Sequence, residues 1–128
     1  MIDWSDYPNF SPREFQCSCC GEVDMDADFM FALQAIRSDY GRPMTITSGY
    51  RCENHPVEAK KQTTTISPHR TGKAADIACR GTDAYEILNL ALAYGATGIG
   101  IAQKGDARFI HIDTLDGEDR LRPWVWSY

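Results

Sequence analysis

The sequence predicts an α+β fold, with helices packed on one side of a central antiparallel sheet. Two segments, around residues 26–40 and 82–94, carry apolar side chains at helical spacing, and the last third of the chain consists of short strand-like segments. Helices followed by a run of strands favour an antiparallel sheet. With 128 residues and no internal repeat or linker, residues 1–128 are predicted to form one domain.

Two helices are predicted in the first third of the chain. Ser11, Pro12 and Glu14 combine a hydroxyl cap, a proline at the first helical position and a carboxylate that reaches back, which predicts a short helix over residues 12–15. A longer helix is predicted over residues 26–40, because apolar side chains recur there at three- and four-residue spacing. Its apolar positions are Phe29, Leu33, Ile36 and Tyr40.

A strand and a long loop are predicted next. Residues 44–47, MTIT, are partly β-branched and precede Ser48 and Gly49, as in a strand that enters a turn. Residues 51–68 show little periodicity and many polar side chains, which predicts a loop. Loops of this length in compact domains usually act as lids or binding segments.

The second half of the chain alternates strand and helix patterns. A strand is predicted over residues 74–79, and Thr82 and Asp83 are predicted to cap a helix that ends near residue 94. Apolar positions of this helix are Tyr85, Leu88 and Leu92, and Gly95 follows its end. Further strands are predicted over residues 98–102, 108–113 and 124–127.

The composition excludes several classes of protein. Hydrophobic residues make up 43% and charged residues 24% of the chain, as in ordinary globular domains. The net charge is −5 and no Lys/Arg cluster is present, so a nucleic-acid partner is not expected. The apolar runs are far shorter than a membrane span, so a membrane partner is not expected either. The N-terminus, MIDWSDYPNF, lacks a signal-peptide pattern. We therefore expect a monomer that is made in the cytoplasm and, if it acts outside a membrane, is released by another factor.

One predicted strand carries a histidine and a carboxylate on the same face. In FIHID, the two-residue period of a strand puts Phe109, His111 and Asp113 on one face and the isoleucines on the other. The isoleucines are expected to face the core, so His111 and Asp113 face away from it together. A solvated strand face is the alternative interpretation.

The segment SPHRTGKAADIA offers two further polar side chains. His69 lies on a loop from which it can reach Asp76, and Gly72 and Ala74 keep the space between them free of bulk. His69, Asp76 and His111 together supply two imidazoles and one carboxylate. Three protein ligands with a fourth position left open are typical of a catalytic zinc site.

These motifs resemble those of the zinc D-Ala-D-Ala carboxypeptidases, the peptidase M15 family, whose fold is shared with vancomycin-resistance dipeptidases and the hedgehog signalling domain. The similarity extends over about residues 10–113. The residues that match are Ser67-x-His69-x-x-Gly72-x-Ala74-x-Asp76-Ile77, SGYR at 48–51, GIG at 98–100 and FIHID at 109–113. The resemblance implies a hedgehog/DD-peptidase-like fold with zinc held by His69, Asp76 and His111. It also implies that Arg51 binds the substrate or its developing oxyanion.

The activity that the resemblance implies is zinc-dependent hydrolysis of peptide bonds in the stem peptides of peptidoglycan, as a carboxypeptidase or an endopeptidase. A small single-domain member resembles phage lysis or tail enzymes (endolysin-like), which reach the bacterial cell wall after release or on the phage particle. The alternative is a non-catalytic zinc-binding or cell-wall-binding module on the same fold.

Two features depart from the family pattern. Relatives often carry a glutamate or aspartate as general base three residues before the last zinc histidine, where this chain has Arg108. Asp113 is then the first candidate for the base and Asp106 the second, although Asp113 is equally suited to orienting a zinc histidine. The segment ENHPVEAKKQTTTI also differs from that of relatives. We expect it to change substrate preference, with His55 as a substrate contact and not as a zinc ligand.

The five cysteines are the remaining candidates for chemistry: Cys17, Cys19, Cys20, Cys52 and Cys79. In a cytoplasmic product they are predicted to be reduced thiols or metal ligands. One interpretation is a small zinc site built from Cys17, either Cys19 or Cys20, and Cys52, with or without His55 as a further ligand. The short Cys-x-Cys spacing instead favours packed or paired thiols.

Overall fold

The computed structural model describes residues 2–59, 66–118 and 120–128, which form a five-stranded sheet and three α-helices. The helices are α1 (Ala27–Tyr40), α2 (Pro56–Ala59) and α3 (Gly81–Ala93). The strands are β1 (Thr45–Ser48), β2 (Ala74–Ala78), β3 (Gly98–Ala102), β4 (Phe109–Asp113) and β5 (Trp124–Ser127). Short 3₁₀ turns lie at Trp4–Asp6, Pro12–Glu14 and Pro68–Thr71. The α+β class predicted from the sequence is confirmed.

Of the two helices predicted in the first third of the chain, the longer one forms as an α-helix and the shorter one forms as a 3₁₀ turn. The Asp26 carboxylate accepts a hydrogen bond of 2.9 Å from the Phe29 N–H and so caps α1, while Gly41 ends the helix in a left-handed conformation with φ 72°. The predicted helix at residues 12–15 is a single 3₁₀ turn, in which the Glu14 carboxylate accepts a hydrogen bond of 2.8 Å from the Ser11 N–H. Three residues are too few for an α-helix of regular geometry.

The sheet has the strand order β1-β2-β4-β3-β5. Neighbours among the first four strands are antiparallel, as predicted, whereas β5 runs parallel to β3 at the edge. The chain returns after β4 to the end of the sheet at which β3 begins, where the Trp124 N–H donates a hydrogen bond of 2.9 Å to the Thr97 carbonyl. The direction of an edge strand depends on this return path, which side-chain alternation does not encode.

The two faces of the central strands have different roles. Ile77, Ile99, Ile110 and Ile112 belong to a hydrophobic core that also contains the buried side chains of α1 and α3. Asp76 and His111 lie opposite each other on β2 and β4, and their side chains project from the other face. The assignment of the FIHID isoleucines to the core is therefore confirmed.

Helix α3 presents a different face to the core from the one its large residues indicate. Tyr85 and Leu92 are 68% and 55% exposed, while the buried side chains of this helix are Ala84, Ile87 and Ala91. Alanines on the buried face let the helix axis lie close to the sheet and to α1. The helix begins at Gly81 without a side-chain cap, so the predicted capping by Thr82 and Asp83 is wrong.

The loop predicted over residues 51–68 contains the short helix α2 and ends at Pro68, where the 3₁₀ turn that carries His69 begins. Residues 60–65, which form part of the segment expected to alter substrate preference, lie outside the described residues. Within the described ranges, the helices are too short or too polar to cross a lipid bilayer.

Candidate metal centre

His69 lies on the Pro68–Thr71 turn, and each of its two ring nitrogens has a polar neighbour. Its Nδ1 lies 2.8 Å from the carbonyl oxygen of Gly49, which can only accept a hydrogen bond, so Nδ1 carries a proton and Nε2 is the ring nitrogen directed at Asp76. This Nε2 lies 3.3 Å from Oδ1 of Asp76. Gly72 ends the turn with φ +76°, and a Cβ at this position would collide with the backbone of Asp24.

Asp76 and His111 are brought together by the register of the sheet. The two residues are direct partners in the β2–β4 ladder, and Nδ1 of His111 lies 3.0 Å from Oδ1 of Asp76. Burial alone would raise the pKa of Asp76, but hydrogen bonds from His111 and His69 outweigh it and hold that pKa well below its usual range. The carboxylate is therefore ionised and faces two imidazoles.

The three side chains form a donor set that fits a metal ion such as zinc. One ligand atom from each of His69, Asp76 and His111 lies within 4.8 Å of the others, and all three residues are buried. Each histidine has its second ring nitrogen at a fixed acceptor, the Gly49 carbonyl for His69 and the Asp113 carboxylate for His111. Such outer hydrogen bonds orient histidine ligands in zinc proteins. The three residues predicted from the sequence are thus brought to one point.

Asp113 contacts Nε2 of His111, whereas Asp76 contacts the other ring nitrogen, Nδ1. Its Oδ2 lies 2.8 Å from Nε2 of His111, and Arg122 donates two hydrogen bonds of 2.9 Å and 2.8 Å to the same carboxylate. Burial would raise the pKa of Asp113, but the hydrogen bonds from His111 and Arg122 lower it to about 2. With 0% exposure, the carboxylate occupies the orienting position that the sequence left as an alternative to the general base.

Arg51 lies beside the donor set. Its Nη2 is 3.8 Å from Oδ2 of Asp76, and its Nη1 is 3.2 Å from Oε2 of Glu58 on α2. Glu58 is a buried carboxylate that the sequence analysis missed, because nothing in a polar loop distinguishes it from its exposed neighbours. The two carboxylates hold the guanidinium at the edge of the site.

Two clefts meet at the donor set. The arginine cleft, of about 640 Å³, contains Arg51, Arg80 and Arg108 together with Asp106. The aromatic cleft, of about 390 Å³, is bounded by His69, His111, Trp126 and Tyr128. Arg51, Asp76 and Phe109 line both, so the donor set lies at their junction.

The aromatic cleft also contains a buried hydroxyl. Among the described residues, the Ser67 side-chain oxygen is buried and has no hydrogen-bond partner. A buried hydroxyl without a partner is unfavourable unless another molecule supplies one. Its position in the cleft therefore suits a substrate contact.

Strand β5, which is C-terminal to all of the sequence motifs, also contributes to the site. Trp126 packs against His111 with ring centroids 5.1 Å apart, and Arg122 precedes the strand. Gly100 makes room for this contact, because a Cβ there would lie 2.7 Å from Nε1 of Trp126. The sequence predicts the strand but gives no signal that these two side chains reach the metal centre.

His55, expected as a substrate contact, lies elsewhere. Its Nε2 is 3.0 Å from the Ser18 hydroxyl, and it lines neither cleft among the described residues. The donor set of the described residues contains His69, Asp76 and His111 and does not include His55.

Comparison with known proteins gives one result that bears on this geometry. A family model described as Peptidase M15 matches residues 8–113, which include the three donor residues, Arg51 and Asp113. Arg122 and β5 lie beyond the matched region. No curated protein matches the chain.

Proposed function

The chain belongs to the peptidase M15 family, and we propose that it is a zinc-dependent peptidase that cleaves the stem peptides of peptidoglycan at the bacterial cell wall. The observation that carries this proposal is the convergence of His69, Asp76 and His111 at the junction of two clefts. The peptide class follows from the resemblance of the motifs to D-Ala-D-Ala carboxypeptidases. The proposal covers both carboxypeptidase and endopeptidase activity.

His69, Asp76 and His111 would hold the zinc ion through Nε2, Oδ1 and Nδ1. A zinc ion held there would supply a Lewis acid that polarises the scissile carbonyl and would make water nucleophilic at neutral pH. The protein contributes a rigid donor set, because strands β2 and β4 fix two of the donors and the Gly49 carbonyl fixes the third.

Arg51 supplies positive charge for the transition state. Hydrolysis of a peptide bond places negative charge on the former carbonyl oxygen, and a guanidinium at the edge of the cleft stabilises that charge. The Glu58 carboxylate at 3.2 Å restrains the Arg51 side chain, so the guanidinium loses little further freedom when substrate binds.

A carboxylate is needed to accept a proton from water and to pass it to the leaving amine. Of the two candidates, Asp106 lines the arginine cleft, whereas Asp113 has its oxygens engaged by His111 and Arg122. A carboxylate whose pKa is about 2 is also a weak proton acceptor. We therefore assign proton transfer to Asp106 and orientation of His111 to Asp113.

The clefts indicate how a stem peptide would lie. Space on both sides of Asp76 accommodates residues on both sides of the scissile bond. Arg80 and Arg108 offer cationic groups to the carboxylates of a stem peptide, and the Ser67 hydroxyl offers a neutral hydrogen bond on the opposite side.

The test measures zinc content and muropeptide release for the wild type, His69→Ala, Arg51→Gln and His55→Ala. We expect His69→Ala to lose one zinc equivalent and all activity. Arg51→Gln should keep its zinc and lose about 10²–10³-fold in kcat, as for loss of an oxyanion-stabilising group. His55→Ala is the matched histidine control and should resemble the wild type.

Mass spectrometry of the released fragments identifies the bond that is cut. A wild-type protein that binds zinc at His69 but releases no fragment from peptidoglycan of any stem chemistry would overturn the peptidase proposal. That result favours a zinc-binding or cell-wall-binding module on the same fold.

A further inference from the structure

Four of the five cysteines converge at a second place in the fold. Ligand sulphurs of Cys17, Cys19, Cys20 and Cys52 all lie within 4.8 Å of one another. The Cys52 sulphur is 3.6 Å from that of Cys17 and 3.6 Å from that of Cys19. A zinc ion with Zn–S bonds of about 2.3 Å separates its tetrahedral sulphurs by about 3.8 Å, so the observed spacing suits such an ion. A disulfide would require about 2.05 Å.

The backbone around Cys17 is folded to present these sulphurs. The N–H of Gly21 donates a hydrogen bond of 2.8 Å to the Cys17 carbonyl, and Gly21 has φ +76°, which closes a tight turn over residues 17–21. This turn places Cys17 and Cys20, two ligands with two residues between them, on one side. The Cys-x-x-Cys spacing is a common zinc-binding pattern and is concealed here by the intervening Cys19.

Backbone N–H groups also point at the Cys17 sulphur. The Cys52 N–H donates to it over 3.4 Å, and the N–H groups of Cys19 and Cys20 donate to the same atom. Such hydrogen bonds stabilise a negatively charged sulphur, the form in which cysteine binds metals. Cys17 is buried, whereas Cys19 and Cys20 are exposed, so an ion can enter from the surface.

We propose that Cys17, Cys19, Cys20 and Cys52 bind a second, structural zinc ion. Four thiolates fill a tetrahedral site and leave no position for substrate, which distinguishes a structural site from a catalytic one. His55 is not a ligand, since its Nε2 is hydrogen-bonded to Ser18 and its Nδ1 accepts from the Val57 N–H.

The cysteine site connects the segment around Cys17 with the Gly49–Cys52 segment, which positions residues of the His69–Asp76–His111 donor set. Cys52 directly follows Arg51, and the Tyr50 N–H donates a hydrogen bond of 2.8 Å to the carbonyl of Phe15, close to Cys17. The joined segment also contains Gly49, whose carbonyl orients His69. A zinc ion on the cysteines therefore fixes the Gly49–Cys52 segment, and this positioning effect, unlike zinc binding itself, rests on the proposed function.

The experiment counts zinc in protein purified under reducing conditions. We expect two equivalents in the wild type and in the control Cys79→Ser, and one equivalent in both His69→Ala and Cys52→Ser. Cys79 is a suitable control because its thiol hydrogen-bonds to the Ile77 carbonyl, outside the cluster. A wild type with one equivalent that His69→Ala loses entirely would overturn the proposal.

A second measurement does not depend on the folding of a cysteine variant. His69→Ala reconstituted with cobalt(II) should show strong thiolate-to-cobalt charge-transfer absorption, which zinc addition removes. Zinc should also protect four cysteines of this variant from alkylation and leave only Cys79, whose pKa burial raises to about 11, to react slowly. Absence of the charge-transfer band, or an oxidised mass under reducing conditions, would contradict tetrathiolate binding.

Different experimental results would reject the peptidase proposal and the structural zinc proposal. A cysteine-bound zinc in His69→Ala, combined with inactivity of the wild type on all peptidoglycans, rejects the peptidase and retains the structural site. An active wild type whose zinc content is unchanged by Cys52→Ser rejects the structural site and retains the peptidase.

Discussion

At the scale of single residues, Asp113 contacts the His69–Asp76–His111 donor set without belonging to it. It receives two hydrogen bonds from Arg122 and holds the ring nitrogen of His111 that points away from Asp76. The negative charge of Asp113 makes the imidazole a stronger donor and fixes its orientation. We therefore expect Asp113 to affect metal affinity more than proton transfer.

Substitution of the two candidate carboxylates separates these roles. Asp113→Asn should weaken zinc binding at His69, Asp76 and His111 by about 10–100-fold, because His111 loses its charged partner. Asp106→Asn, the matched control in the arginine cleft, should keep its zinc affinity and lose about 10²–10⁴-fold in kcat, because a proton acceptor is removed. Competition with a chromophoric chelator gives the affinities, and muropeptide release at saturating zinc gives kcat.

The opposite pattern would reassign the general base. If Asp113→Asn binds zinc as tightly as the wild type yet has no activity, Asp113 acts in proton transfer after all. If Asp106→Asn remains fully active, Asp106 has no catalytic role.

The residues predicted from the sequence are those that a local pattern can indicate. The strand period separates His111 from the isoleucines, and the small residues of SPHRTGKAADIA leave room between His69 and Asp76. Glu58, Arg122 and the Gly49 carbonyl act through tertiary contacts across 7 to 20 positions of the chain. No periodicity or spacing encodes such contacts.

At the scale of elements, strand β5 links the stability of the sheet to the geometry of the site. Trp126 packs against His111 and over Gly100 of β3, whereas Trp124, on the same strand, is 52% exposed. Strand β5 therefore carries one half-buried tryptophan and one exposed tryptophan. Its position in the sequence was predicted, but its parallel direction was not, because direction depends on the path of residues 114–123.

The two tryptophans of β5 form a matched pair for measuring this link. Trp126→Ala should lower the free energy of unfolding by about 2 kcal/mol, below the usual cost for a fully buried tryptophan because Trp126 is half-buried. It should also weaken zinc binding, since the His111 ring loses its packing partner. Trp124→Ala should cost less than half as much and leave zinc affinity unchanged. Urea denaturation and chelator competition measure the two effects.

Equal destabilisation by both substitutions would mean that β5 contributes only as an edge strand. Unchanged zinc affinity in Trp126→Ala would show that Asp113 alone fixes the His111 ring.

At the scale of the whole molecule, the folded unit extends past the region that the family model matches. The matched residues, 8–113, end with β4, but Arg122 and β5 complete the environment of Asp113 and cover the edge of β3. Without them Asp113 would be a buried carboxylate without its guanidinium partner, and β3 would expose unpaired backbone groups.

Deletion of residues 117–128 should therefore affect both the metal centre and the state of association. We expect weaker zinc binding, because Asp113 loses Arg122, and concentration-dependent oligomers, because an uncovered strand edge pairs with another copy. Arg122→Gln in the full-length chain is the control that removes the ion pair and keeps β5. It should share the loss of zinc affinity and show no concentration-dependent association in light scattering. A truncated chain that stays monomeric at high concentration would show that β3 is protected by something other than β5.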